Sequence, residues 1–168
     1  MKRVLFIFIL CFLNSCGDGD LIIETIDFND TSITFCESTT TTSSTLFFKL
    51  KTTEALILKL KSGLLKNEVS TDTIKSAVPG ESQLVYRSFT DDIAKNYFCD
   101  AVPPISPTVV EEYQAEGGEV FITTVQSESD TTKYEHRIEL SGISLVNSQG
   151  QRITDLRIND FGTITTKE

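Results

Sequence analysis

The chain contains no tryptophan, one histidine and one methionine among 168 residues. With a single imidazole, any Ser-His or Cys-His couple would have to use His136, which lies beside Arg137 in an alternating segment. There a packing or surface role is expected. The lack of tryptophan removes the best stacking face for a sugar, leaving Tyr86, Tyr97, Tyr113 and Tyr134 as candidates for an aromatic platform. No CxxC is present, and with one histidine this argues against a structural zinc site. G-x-S-x-G, P-loop and G-x-G-x-x-G patterns are also missing, so the common nucleophile and nucleotide templates are excluded. Positive charge is scarce, with 15 Lys+Arg against 24 Asp+Glu. That balance disfavours nucleic acid and anionic lipid headgroups as partners.

Long apolar runs are lacking except at the start. Lys2 and Arg3 precede residues 4–13, ten positions without a charged side chain. Ten helical residues rise only about 15 Å, half the hydrocarbon core of a bilayer, so this run is expected to target the chain rather than span a membrane. It ends at Leu13-Asn14-Ser15-Cys16. This tetrapeptide resembles the lipobox of bacterial lipoproteins, with Leu13 and Ser15 matching the pattern and Asn14 departing from the commoner Ala, Ser, Thr or Val. The resemblance implies cleavage before Cys16, acylation of that residue and attachment to a bilayer through it. The alternative is an ordinary cleaved signal with Cys16 free or disulfide-bonded. Gly17-Asp18-Gly19-Asp20 then reads as an acidic, flexible tether. Acidic residues soon after the cysteine also resemble the export signal of Bacteroidota surface lipoproteins, which leaves the periplasmic face and the cell surface both open.

The expected organisation is a signal over 1–15, a tether over 16–20 and one β-rich domain over 21–168. Removing the first 15 of 168 residues leaves 153, enough for one sizeable core, with 13 Lys+Arg against 24 Asp+Glu and a formal charge of −11. Of the four cysteines, Cys11 leaves with the signal and Cys16 goes to lipid. Cys36 and Cys99 remain as an even pair, expected to form a disulfide in an oxidising compartment, the alternative being two buried thiols.

Strand signals dominate the rest. Residues 21–28 and 31–36 alternate around Asn29-Asp30, and residues 46–51 and 54–61 read as a hairpin around Thr52-Thr53. In its second arm Leu56, Leu58 and Leu60 share a face opposite Lys59 and Lys61. Residues 83–89 form another strand. A short helix is expected from Thr90 as cap, with Asp91 and Asp92 in its first turn, an Ile93–Tyr97 stripe and its end at Cys99. Pro103, Pro104 and Pro107 then enforce an extended connection. Residues 109–113 and 119–125 read as a strand pair around Gly117-Gly118. Beyond the strand at 133–140 the apolar phase shifts at Ser141-Gly142, marking a β-bulge. Strands near 152 and over 161–166 complete an all-β, antiparallel sandwich or open barrel of about eight to ten strands with one short helix. The stretch Ser38 to Thr45 reads as an exposed, hydroxyl-rich loop open to glycosylation.

Two chemical possibilities remain. Glu111, Glu112, Glu116 and Glu119 cluster near Gly117-Gly118, where paired carboxylates could cleave a glycosidic bond, though a solvated acidic hairpin accounts for them. Asp18, Asp20, Asp27, Asn29 and Asp30 supply oxygens for calcium but lack the EF-hand spacing. Bacterial lipocalins are also lipidated all-β proteins of similar size, and the missing G-x-W motif argues against them. Overall the chain resembles the small lipoproteins of Bacteroidota. The expectation is a lipid-anchored outer-membrane protein, not an enzyme, with no cofactor or metal, acting as a binding or assembly component with an envelope protein or glycan as partner. A carboxylate hydrolase and a barrel-type small-ligand carrier are the alternatives.

Overall fold

The structure is a computed structural model that describes residues 21–167. The signal over 1–15, the tether over 16–20 and Cys16 lie outside the described residues. Ten strands and one helix follow in order: β1 (Leu21–Asp27), β2 (Ile33–Thr34), β3 (Leu46–Leu50), β4 (Glu54–Lys59), β5 (Ile74–Ala77), β6 (Gln83–Phe89), α1 (Asn96–Cys99), β7 (Val109–Gln126), β8 (Lys133–Asn147), β9 (Arg152–Arg157) and β10 (Asp160–Lys167).

The β3–β4 hairpin turns at Thr52-Thr53 and pairs Leu46 with Lys59 through Leu50 with Ala55. Leu56, Leu58 and Leu60 are buried while Lys59 and Lys61 are exposed, as the period of two requires. Burying one such leucine is worth roughly 1.5–3 kcal/mol, so the alternation alone selects the register.

At the centre stands the β7–β8 hairpin, which is long enough to serve two groups of strands. Its first half, from β7 residues near Tyr113 and β8 residues near Leu145, is flanked by β6 and β9. Its second half, around Ile122 and Ile138, is flanked by β5 and β10. Register shifts on either side of Gly117 separate the halves. The ladder runs β1-β9-β8-β7-β6-β4-β3-β2, with β10 on β8 and β5 on β7. Among the described residues it has two ends and forms no closed barrel. The bend folds one half over the other in a sandwich-like arrangement, and the main core takes Leu56, Leu84, Tyr86 and Tyr113 from one side and Val120, Ile122, Ile138 and Ile164 from the other. A second, smaller cluster of Ala55, Phe89 and Ile93, joined by Tyr97 and Phe98, covers the opposite face of β4 and β6.

Several expectations need correction. Residues 109–126 form one bent strand rather than a hairpin: Gly118 adopts φ 122°, and a β-bulge lets the chain turn without ending the ladder. The bulge expected at Ser141-Gly142 is present, with Gly142 at φ 64°. The helix is only Asn96–Cys99, with Lys95 at its cap position. Thr90 and Ile93 are taken by tertiary hydrogen bonds instead, Ile93 N–H donating to Thr52 O at 2.8 Å and Thr90 N–H to Thr108 O at 3.0 Å. β1 pairs in parallel with β9, an exception to the antiparallel pattern. β5, in the irregular stretch between the hairpin and residue 83, was not expected. Cys36 lies in a loop after β2 rather than on a strand, and it is bonded to Cys99 across a Cα–Cα distance of 5.2 Å.

Candidate functional site

A cleft of about 760 Å³ opens between β10, the start of β8 and the segment 29–40. Its floor is apolar, made by Ile33, Phe35, Phe161 and Ile164, and its rim carries the hydroxyls of Thr31, Ser32, Ser38, Thr39, Thr163 and Thr165 with Lys133 and Lys167. Local geometry explains the shape. Gly162 has φ 117°, and a Cβ there would come within 3.0 Å of Ile33 Cδ1, so the absence of a side chain lets Ile33 lie over β10. The hydroxyl-rich loop is tied to the far side of the same strand, where Thr40 bridges to Thr166 and its Oγ1 donates to the Thr165 carbonyl. That loop is therefore only partly free: Thr40 and Ser44 are buried, and the rest is largely exposed.

At one end of the cleft is a buried ammonium. Lys49 has the same strand parity as Phe47, so alternation aims it at the core, and it is 1% exposed. Its Nζ donates to the carbonyls of Phe28 (2.7 Å), Asp160 (2.9 Å) and Asn29 (3.4 Å) and lies 5.6 Å from the Phe161 ring centre. Three donors meet three acceptors, which keeps the charged form fully coordinated. Burial still lowers its pKa from the ordinary lysine value, opposed by the charges of Asp160, Asp30 and Asp27.

On the core-facing side of β8 and β10, His136 is wholly buried, with Nδ1 2.8 Å from Thr124 Oγ1 and Nε2 2.8 Å from Thr166 Oγ1. Thr166 spends its hydroxyl hydrogen on Asn67 Oδ1. It must therefore accept from His136, which places the ring proton on Nε2 and makes Nδ1 the acceptor of the Thr124 hydroxyl. Burial lowers the His136 pKa to about 4, so the ring is neutral at physiological pH. Of the packing or surface role expected of this histidine, the structure shows the packing one. Its network joins β7, β8, β10 and the loop at Asn67, positions whose shared core-facing parity was the only signal in the sequence.

The other candidates scatter. Tyr86 and Tyr113 are core residues, so they cannot form an exposed platform, and Tyr97 packs edge-on against Phe89 at 5.1 Å. Glu112 is held by Arg87 at 2.6 Å and by Gln114 at 2.8 Å, and these contacts, led by Gln114, lower its pKa. Glu111 and Glu119 are eight strand residues apart, roughly 25 Å of chain path. Asp27 accepts the Asn29 N–H at 3.2 Å and lies 3.9 Å from Arg157. At the cleft rim, Lys133 pairs with Asp130 at 3.1 Å; hydrogen bonds from Thr132, then Lys133, hold the Asp130 carboxyl at about 2. Among the described residues no group of three or more His, Cys, Asp or Glu could hold a metal ion, and no helix is long and apolar enough to cross a membrane.

No protein-family model, curated protein or solved structure matches the chain.

Proposed function

We propose that the chain is an outer-membrane lipoprotein, moored through acylated Cys16, whose β-rich domain is a non-enzymatic binding component of the envelope. The mooring rests on the apolar run at 4–13 and the lipobox-like Leu13-Asn14-Ser15-Cys16. Three acyl chains would make attachment effectively permanent, because each buried CH₂ adds about 0.8 kcal/mol. The single observation behind binding is the cleft, whose 760 Å³ falls within the usual size of ligand sites. Hydroxyls along the rim, two phenylalanine rings in the floor and two lysines suit a hydroxyl-bearing ligand, and an envelope glycan fits that chemistry.

The test uses the lipidated protein purified from its own envelope. Mass spectrometry of the first mature peptide should show acylated Cys16; an unmodified cysteine, or residues 1–15 still attached, ends the mooring proposal. Calorimetric titration with glycan fragments of the same envelope should show saturable binding that Thr163→Trp, which fills the cleft, removes. Turnover of the glycan, or binding indifferent to that substitution, would overturn the reading.

A further inference from the structure

The two most exposed large hydrophobic residues among those described, Val102 (83%) and Ile105 (97%), lie in one short stretch, and Val109 (38%) and Val110 (60%) follow it at the start of β7. Exposed apolar surface, where it is contiguous, marks interaction sites in folded domains. The stretch is also held in place at both ends. On one side Cys99 is bonded to Cys36, and Asp100 N–H donates to Asn96 O at 3.0 Å. On the other, Thr90 N–H donates to Thr108 O at 3.0 Å and Thr108 N–H to Thr90 Oγ1 at 3.1 Å. Beneath it, Phe98 packs at a tilt on Phe48 at 4.9 Å and edge-on against Tyr97 at 5.2 Å, so the base rests on the smaller apolar cluster.

Between these anchors, Pro103 and Pro104 fix their own φ and bias the residue before each towards extended backbone. Neither has an N–H, so the centre of the stretch presents carbonyls and side chains. Such a segment loses little conformational entropy on binding. The base is acidic: Glu37 adjoins Cys36, Asp91 and Asp92 follow Thr90, Asp100 follows Cys99, and Glu111 adjoins Val110, against Lys95 alone.

We propose that residues 100–108 are a docking arm for a second protein, one whose groove is apolar at its floor, to take Val102 and Ile105, and basic at its rim, to face the carboxylates. A bilayer fits less well, because an acidic base repels anionic headgroups. The arm shares no residue with the cleft lining, so this surface stands or falls apart from the glycan reading.

The experiment places a photoreactive side chain in the full lipidated chain in its native envelope, as Ile105→p-benzoylphenylalanine, with Val125→p-benzoylphenylalanine as the exposed control. The expected result is one protein joined at 105 and not at 125, through apolar residues flanked by Lys or Arg. Yield should fall at least about tenfold in Val102→Ser and in the double variant Asp100→Lys, Glu111→Lys, with melting temperatures unchanged. Crosslinks to lipid or to another copy of the chain, a yield no higher than at 125, or a crosslink that survives the charge reversal would each overturn the proposal.

Discussion

His136 and Thr166 meet diagonally across the β8–β10 ladder, Nε2 to Oγ1 at 2.8 Å, and the threonine's own hydrogen is already committed to Asn67. Both nitrogens of a neutral ring are thereby used, and burial disfavours the charge that a second ring proton would bring. The folded pKa of about 4 lies below the ordinary 6.5, so the unfolded chain binds a proton that the folded chain refuses. Stability from this group is complete above pH 7 and is lost as pH falls from 6.5 towards 4, by about 3 kcal/mol in all. Urea midpoints at pH 7, 6 and 5 should decline in step, before the carboxylates titrate. His136→Gln should flatten that part of the profile, and a flat wild-type profile would refute the assignment.

Lys49→Met keeps the aliphatic stem and removes the ammonium, so the carbonyls of Asn29 and Asp160 lose its hydrogen bonds while Phe28 O keeps the one from Thr31 N–H at 3.1 Å. An unsatisfied buried polar group costs about 1–3 kcal/mol, and with two part-buried carbonyls affected a loss of about 1–3 kcal/mol is expected. Chemical denaturation measures it directly. A neutral or stabilising result would mean that the carbonyls find water once the amine is gone.

How much of this was legible from the residues alone depends on the reach of each interaction. The β3–β4 hairpin was, because its signal is local alternation with its turn at Thr52-Thr53. The Ser141-Gly142 bulge was also legible, as a break of phase. The Gly117-Gly118 pair was misread as a turn because glycines mark turns and bulges alike; the choice was made by pairing with β8. Thr90 looked like a helix cap until Thr108, eighteen positions on, claimed its hydroxyl. Nothing local could reveal that Ile33 would cover Gly162 and shape a cleft, since those residues meet only in the folded sheet.

Gly118 offers a sharper test of the bend. A Cβ there would lie 2.6 Å from Ile143 Cδ1 and 2.9 Å from both Ile143 Cα and Ser141 O, at φ 122°. Gly118→Ala should therefore cost at least about 2 kcal/mol, combining backbone strain with a backbone clash. Gly80→Ala, with nothing within 4 Å, should change stability by less than about 0.5 kcal/mol. Equal thermal shifts for the two variants would remove Gly118 from the account of the bend.

The disulfide spans a sequence separation of 63 residues. Loop-closure entropy of that length corresponds to roughly 4 kcal/mol, so Cys36→Ser with Cys99→Ser should lower unfolding stability by about that amount. Amide exchange should rise first at residues 96–108, whose base loses its covalent tie, while β7 and β8 keep their protection. Uniform exchange across the chain would show that the bridge braces the whole sheet instead.

The two central strands belong to both layers at once, which leaves no seam along which the layers could part. In repeat proteins and tandem domains one unit can melt while its neighbour stays whole. Here any segment that loosens near the two opposed bulges unsettles the partners on either side, so damage at the crease is felt at the far rims of both halves.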